Sequence, residues 1–176
     1  MLVGSLNWVV TLGRIDVMFA AVTMARDNQS PREGHMKVMF RIFGYLKNHA
    51  KASLKMNFSY PEERVEGIEK ANWKHLYPAG AHEKLPHNPP EPKGKPIRVW
   101  GEFDIDNAYD LEARRSVSGI LIYINNSVVK WYSKRQNTIE TSTYGSELVS
   151  CCTTVELLID MRYSIRMLGV PLLYES

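Results

Sequence analysis

Apolar residues in the first fifty positions recur at intervals of three and four, the period of an amphipathic helix. A break in the pattern lies at Asn28-Gln29-Ser30-Pro31, where Ser30 and Pro31 are typical of a helix start. Two apolar stripes result: the first consists of Leu6, Val9, Val10, Gly13, Val17, Ala20, Ala21 and Met24, and the second of Met36, Met39, Phe40, Phe43 and Leu46. Gly13 weakens the middle of the first stripe, because glycine has a low helix propensity. We therefore predict a helical pair in residues 1–60.

The period changes to two from Ile97 onward, which indicates β-strands. We predict strands over residues 97–104, 116–124 and 128–133, with a polar turn over 106–115 and a tight hairpin turn at Asn125-Asn126. Residues 141–143 are Thr, Ser and Thr, which favour a helix start. From Glu147 a three-and-four stripe follows, formed by Leu148, Cys151, Cys152, Val155, Leu158 and Ile159. The pattern predicts a mixed α/β fold of three antiparallel strands followed by a long helix.

The segment between these two regions, residues 61–96, contains seven of the nine prolines and no sustained apolar period. Such a composition is typical of a connector and not of a packed element. His75, His82 and His87 are spaced irregularly within it, so we interpret them as solvated residues and not as metal ligands. Three consecutive parts are thus predicted: a helical segment at 1–60, a Pro-rich linker at 61–96 and an α/β domain at 97–176.

The chain of 176 residues carries a formal charge of +3 and has a pI near 8.8. Residues 1–60 hold eight basic and three acidic residues, a net charge of +5, which suits nucleic-acid contact without proving it. Simple packing of the helical pair remains the alternative. Cys151 and Cys152 are adjacent and fit neither a disulfide framework nor a zinc motif. No signal-peptide pattern is evident, and the apolar run at 17–22 is too short to cross a bilayer. We expect an intracellular protein, cytoplasmic or nuclear, without a membrane partner.

Several ordered groups of residues in the second half match one known family. They are Asp104-Ile105-Asp106 with Asp110, then Arg115-Ser116-Val117-Ser118-Gly119, Trp131-Tyr132-Ser133-Lys134-Arg135-Gln136 and Glu140-Thr141-Ser142-Thr143-Tyr144-Gly145-Ser146-Glu147-Leu148. Together they resemble the ribonuclease H domain of copia-type retrotransposon polyproteins. In the first half, Gly4-Ser5-Leu6, Arg14-Ile15-Asp16, Pro31, His35 and Tyr45-Leu46-Lys47 resemble the connection between reverse transcriptase and ribonuclease H in the same polyproteins. The polymerase motif Tyr-x-Asp-Asp is absent from the sequence, which excludes reverse transcription by these residues.

The resemblance implies a truncated ribonuclease H-like fold in which Asp104 and Glu147 are catalytic carboxylates and metal ligands. Family members use two Mg²⁺ ions to hydrolyse RNA in RNA–DNA hybrids, since hard cations offset the charge that builds on phosphodiester oxygens. Each residue also has an alternative explanation. Asp104 suits a plain turn carboxylate, and Glu147 is favoured near a helix start by the helix dipole alone.

The third and fourth carboxylates of the family have no counterpart in this sequence. The strand that would carry the third is expected to begin only after residue 169, close to the last residue, Ser176. The resemblance therefore predicts weak Mg²⁺ binding and little or no nuclease activity from the chain alone. That strand would also pair in parallel with the strand of Asp104. Without it, we expect an exposed sheet edge and a marginally stable, association-prone protein.

Two functions remain open at this level. One is a ribonuclease H-like segment of a retroelement polyprotein, with an RNA–DNA hybrid as partner. The other is a non-catalytic module that binds nucleic acid or a reverse transcriptase domain. Arg114, Arg115, Lys134 and Arg135 are candidate phosphate contacts, although a solvated turn explains Arg114 and Arg115 equally well.

Overall fold

The computed structural model describes residues 2–60, 75, 85–110 and 114–173. It contains four α-helices and three strands within these ranges. They are α1 (Leu2–Thr11), α2 (Met18–Arg26), α3 (Glu33–Asn48), β1 (Val99–Asp110), β2 (Arg115–Ile124), β3 (Ser127–Arg135) and α4 (Thr143–Met167). Residues 61–74 and 76–84, which form most of the predicted linker, lie outside this description.

The three strands form one antiparallel sheet in the order β1-β2-β3, which confirms the predicted strand–strand–strand–helix succession. Asn125 lies between β2 and β3 with a φ of 52°, a conformation that asparagine tolerates better than most residues. The predicted turn at 106–115 is wrong in its extent, because β1 continues to Asp110. Backbone hydrogen bonds extend β1 into a segment of polar side chains. The pattern of apolar residues gives no sign of this extension.

After α4 the chain returns to the start of β1 and runs parallel to it. The Ile97 amide donates to the Pro171 carbonyl at 2.9 Å, and the Leu173 amide donates to the Ile97 carbonyl at 2.8 Å. These bonds form a parallel bridge between Ile97 and Leu172. Among the described strands, β1 lies at an edge of the sheet. The bridge places a short piece of backbone beside this edge, where a fourth strand would pair. The predicted tendency to associate through that edge stays a prediction.

Contacts divide the described residues into two compact units. One takes those within Met1–Lys55, Asp104–Ile120 and Trp131–Ser150, and the other those within Met56–Phe103, Leu121–Lys130 and Cys151–Ser176. In the first unit, α1, α2 and α3 enclose a core of Leu6, Val17, Ala21, Met24, Met39 and Ile42. The predicted helical pair is therefore three helices that share one core. The predicted division at 60 and 96 stays a prediction.

Gly13 explains why the first apolar stripe makes two helices. Its φ of 110° belongs to a region that favours glycine, so α1 ends before it and a turn of 3₁₀ helix follows at Ile15–Val17. Arg14 fixes this corner by a bidentate pair with Asp16, at 3.0 and 2.8 Å, and by a 3.1 Å bond to the His49 carbonyl. The guanidinium also lies 5.8 Å from the Tyr45 ring centre. Two of the family-like motifs, Arg14-Ile15-Asp16 and the one that begins at Tyr45, thus meet in space.

The start of α3 differs from the sequence prediction. The helix begins at Glu33 with Arg32 as its N-cap, and Ser30 lies outside it. The imidazole of His35 takes the capping role, because its Nδ1 accepts a hydrogen bond from the Arg32 amide at 3.2 Å. The stripe is also only partly buried, since Met39 enters the core while Phe40 is 63% exposed; Ile42, which lies outside the predicted stripe, is buried instead.

The buried face of α4 is the largest departure from the sequence prediction. Small hydroxyl residues (Ser146, Ser150 and Thr154) are buried, whereas Leu148, Val155 and Ile159 in the predicted apolar stripe are about half exposed. Small side chains permit a close approach of helix and strand at this interface. Over the part of the chain that the structure covers, no helix combines the length and apolar character needed to cross a bilayer.

Candidate functional site

Asp104 lies in the middle of β1, and the neighbouring strand shows which face of the sheet it occupies. Gly119 of β2 lies beside it, since a Cβ built on Gly119 would be 3.9 Å from the Asp104 carbonyl oxygen. Ser116 and Ser118 face α4, because Ser116 contacts Ser146 of that helix and Ser118 contacts Gln136, which bonds to the Ser146 carbonyl. Successive residues of a strand alternate between faces and cross-strand neighbours share one. Gly119 and Asp104 therefore belong to the face opposite α4.

Glu147 lies in the first turns of α4 and is exposed. The Ser142 hydroxyl accepts a hydrogen bond from the Gly145 amide at 3.1 Å and so caps the helix start. The preceding residue, Ser146, is completely buried against β2. Glu147 lies beyond the first turn of α4, which contains no acidic residue, so the helix dipole favours its carboxylate only weakly.

A buried polar network holds the start of α4 against the sheet. The two hydroxyls of Ser116 and Ser146 are 3.0 Å apart, and the Gln136 side-chain amide donates to the Ser118 hydroxyl and the Ser146 carbonyl, both at 2.9 Å. The Gln136 backbone amide donates to the Ser116 carbonyl at 2.8 Å. Three family-like motifs meet in this network. Packing therefore explains the residue types at Ser116, Ser118, Gln136 and Ser146.

The structure places the two predicted metal ligands on different elements, Asp104 on β1 and Glu147 on α4. Mg²⁺ requires oxygen ligands about 2.0–2.1 Å from the ion. Asp104 lies on the sheet face opposite α4, and its Oδ1 accepts a hydrogen bond from the Ile105 amide at 2.8 Å. In the described ranges, no three His, Cys, Asp or Glu side chains form a group suited to an ion. Binding of one ion by Asp104 and Glu147 stays a prediction, and the alternation along β1 argues against it.

The candidate phosphate contacts fall into two places. Arg114 is exposed and has a φ of 50° at the entry to β2, while Arg115 is half-buried. Lys134 and Arg135, at the end of β3, line a cavity of about 300 Å³ together with Asn7, Phe19, Val22, Thr23, Ala25, Arg26, Val117 and Ser133. The cavity lies within the first unit. Sequence reasoning missed the contribution of α2, because Phe19 and Arg26 carry no motif and only the packing of α2 brings them to β3.

Two aromatic residues and one carboxylate form a group in the other unit. Trp100 stacks on Tyr123 with ring centres 4.2 Å apart, and the Tyr123 hydroxyl donates to Glu102 at 3.0 Å. Burial, with a smaller effect of the Glu102 carboxylate, raises the pKa of the Tyr123 phenol above its ordinary value. Tyr123 therefore stays a neutral hydrogen-bond donor at physiological pH.

Comparisons with known proteins give one short similarity. The chain is 42% identical over 53 residues to "Secreted RxLR effector protein 161" of Plasmopara viticola, which covers 30% of this chain and 37% of that protein. The chain thus spans little more than a third of the length of this relative. No family model matches the chain, and no solved structure matches it.

Proposed function

We propose that this chain is a ribonuclease H-like segment of a copia-type retroelement polyprotein, and that by itself it binds nucleic acid without cleaving it. The order of elements carries the first part of the proposal. Three antiparallel strands, a long helix and a return parallel to β1 form the succession expected of such a domain. The ordered sequence motifs from Asp104 to Glu147 are the reason for proposing a copia-type element.

The chemistry of the described side chains supports binding over hydrolysis. Two-metal hydrolysis needs several carboxylates on a shared pair of ions. Asp104 lies on the sheet face opposite α4, the helix that carries Glu147. Lys134, Arg135 and Arg26 surround one cavity of unit 1. Clustered cations supply the phosphate contacts on which sequence-independent binding depends. The alternative binding partner is a reverse transcriptase domain.

The test measures binding and cleavage with the same samples. An RNA–DNA hybrid is titrated with the purified chain at several salt concentrations, and its integrity is followed with Mg²⁺ present. We expect binding that weakens with salt, little or no cleavage, and unchanged affinity in the double variant Asp104→Asn/Glu147→Gln. Mg²⁺-dependent cleavage that this variant abolishes would instead establish the catalytic function. Failure to bind the hybrid at any salt concentration would refute the proposed nucleic-acid binding.

A further inference from the structure

The cavity between α2 and the end of β3 has an apolar wall. Phe19 and Val22 line it from α2, and Val117 lines it from β2. Phe19 is 47% exposed, so it lines the cavity without being fully covered by the rest of the protein. An aromatic face among aliphatic side chains is a surface on which a planar heterocycle can stack.

The charged side chains of the cavity are all of one sign. Arg26, Lys134 and Arg135 contribute positive charge, and none of the residues that line it is acidic. Arg26 also pairs with Asp27 at 3.1 Å, which offsets part of its charge. Lys134 lies at the exposed end of β3, where an ammonium group can meet a phosphate. Asn7, Thr23 and Ser133 add hydrogen-bonding groups able to reach a base or sugar.

Size restricts what can enter. A volume of about 300 Å³ is at the lower end of the range for small-molecule sites, so it admits one nucleotide unit and no base pair. A duplex would meet only the cationic rim. A base that enters must therefore be unpaired.

We propose that this cavity holds a single unpaired nucleotide of a single-stranded nucleic acid, with its base against Phe19 and its phosphate beside Lys134. The inference rests on the proposed nucleic-acid binding and adds a base-accepting site to it. Stacking on an aromatic residue is tolerant of sequence, so the site takes any base. A flanking single-stranded end of a hybrid would be held here while the duplex contacts the cationic rim.

The experiment separates the base from the phosphate. A labelled six-nucleotide RNA and a six-unit abasic ribose-phosphate chain are titrated with the full chain by fluorescence anisotropy. We expect Phe19→Leu to weaken RNA binding about tenfold and to leave abasic binding unchanged. Lys134→Gln should weaken both and reduce the slope of log affinity against log salt by about one. The matched controls are Phe40→Leu and Lys47→Gln, which alter exposed residues on α3 away from the cavity.

The outcomes distinguish this inference from the proposed function. Equal RNA affinity for Phe19→Leu and the unaltered protein, with hybrid binding intact, would overturn the nucleotide site and leave the proposed function standing. A tenfold loss that also occurs with the abasic chain would overturn it as well, because the effect would then not involve the base. Circular dichroism spectra of the Phe19→Leu and Lys134→Gln variants must match that of the unaltered chain, so that a loss of binding reports the site and not the fold.

Discussion

Gly101 sets how closely α4 approaches the sheet, and its replacement by alanine tests that contact. A Cβ at this position would lie 3.0 Å from the Ile122 Cδ1 atom, 3.1 Å from the Thr154 Cγ2 atom and 3.4 Å from the Leu121 carbonyl oxygen. Two side chains must move by a few tenths of an ångström to admit it. Overpacking of this kind costs about 1–3 kcal/mol. The added methyl group also restricts the unfolded chain, which returns about 0.4–1 kcal/mol. We expect Gly101→Ala to lower the free energy of unfolding by about 1–2 kcal/mol.

A second substitution identifies the responsible contact. Thr154→Ser removes the Cγ2 atom and keeps the hydroxyl group, so the double variant Gly101→Ala/Thr154→Ser should recover part of the loss. Residues in direct contact give interaction energies of about 0.5–3 kcal/mol in such a cycle. Urea denaturation followed by circular dichroism measures all four members.

Gly119 provides the matched control on the neighbouring strand. Its added Cβ would meet the Asp104 carbonyl oxygen at 3.9 Å, an ordinary contact. Gly119→Ala should therefore be neutral or should stabilise by up to about 1 kcal/mol. Equal effects of alanine at Gly101 and Gly119, or additivity of Gly101→Ala with Thr154→Ser, would refute the proposed packing between α4 and the sheet.

Three further predictions concern single polar groups. Gln136→Ala removes two donors from the buried network around Ser146 and should lower the free energy of unfolding by about 1–3 kcal/mol in urea denaturation. Asn125→Gly keeps the positive φ but loses the side-chain bonds to the Arg98 amide and the Phe58 carbonyl, at 3.0 Å each, for a similar loss in the same assay. The Arg14 guanidinium lowers the pKa of Asp16 below 3.8, so the stability from this carboxylate is present above pH 4 and is lost as the pH falls through its folded pKa. Asp16→Asn should therefore be less stable than the unaltered chain at pH 7, and unfolding measured from pH 7 to 2 should show the difference shrinking below about pH 4.

Each of these predictions has its own contradicting result. Asn137→Ala, next to Gln136 but exposed, should change stability by less than about 0.5 kcal/mol, and a loss equal to that of Gln136→Ala would speak against the network. If Asn125→Gly were as stable as the unaltered chain, the side-chain bonds to Arg98 and Phe58 would not stabilise the turn. A difference between Asp16→Asn and the unaltered chain that stays constant down to pH 2 would exclude the ion pair as its cause.

The strands and the cap of α4 could be predicted because their signals are local. Period-two alternation reflects the pleat of a strand, and Asn125 and Ser142 satisfy backbone geometry within a few residues of themselves. The break at Gly13 was visible as a weakness in the first stripe for the same reason. The ordered motifs also predicted the succession of elements, since each of the three strands and the long helix carries one.

The packing of α4 and the composition of the cavity were decided by the tertiary structure. Burial in a helix depends on what lies opposite, and β2 presents Ser116 and Ser118 to α4, so a hydroxyl stripe is buried and Leu148 is half exposed. The same holds for Asp104, whose face of the sheet follows from pairing with Gly119 across the strands. Phe19 and Lys134 are more than a hundred positions apart and line one cavity only because the fold brings α2 near the end of β3. Sequence period determines which elements form, whereas the partner of each face is fixed only by long-range contacts that no local pattern encodes.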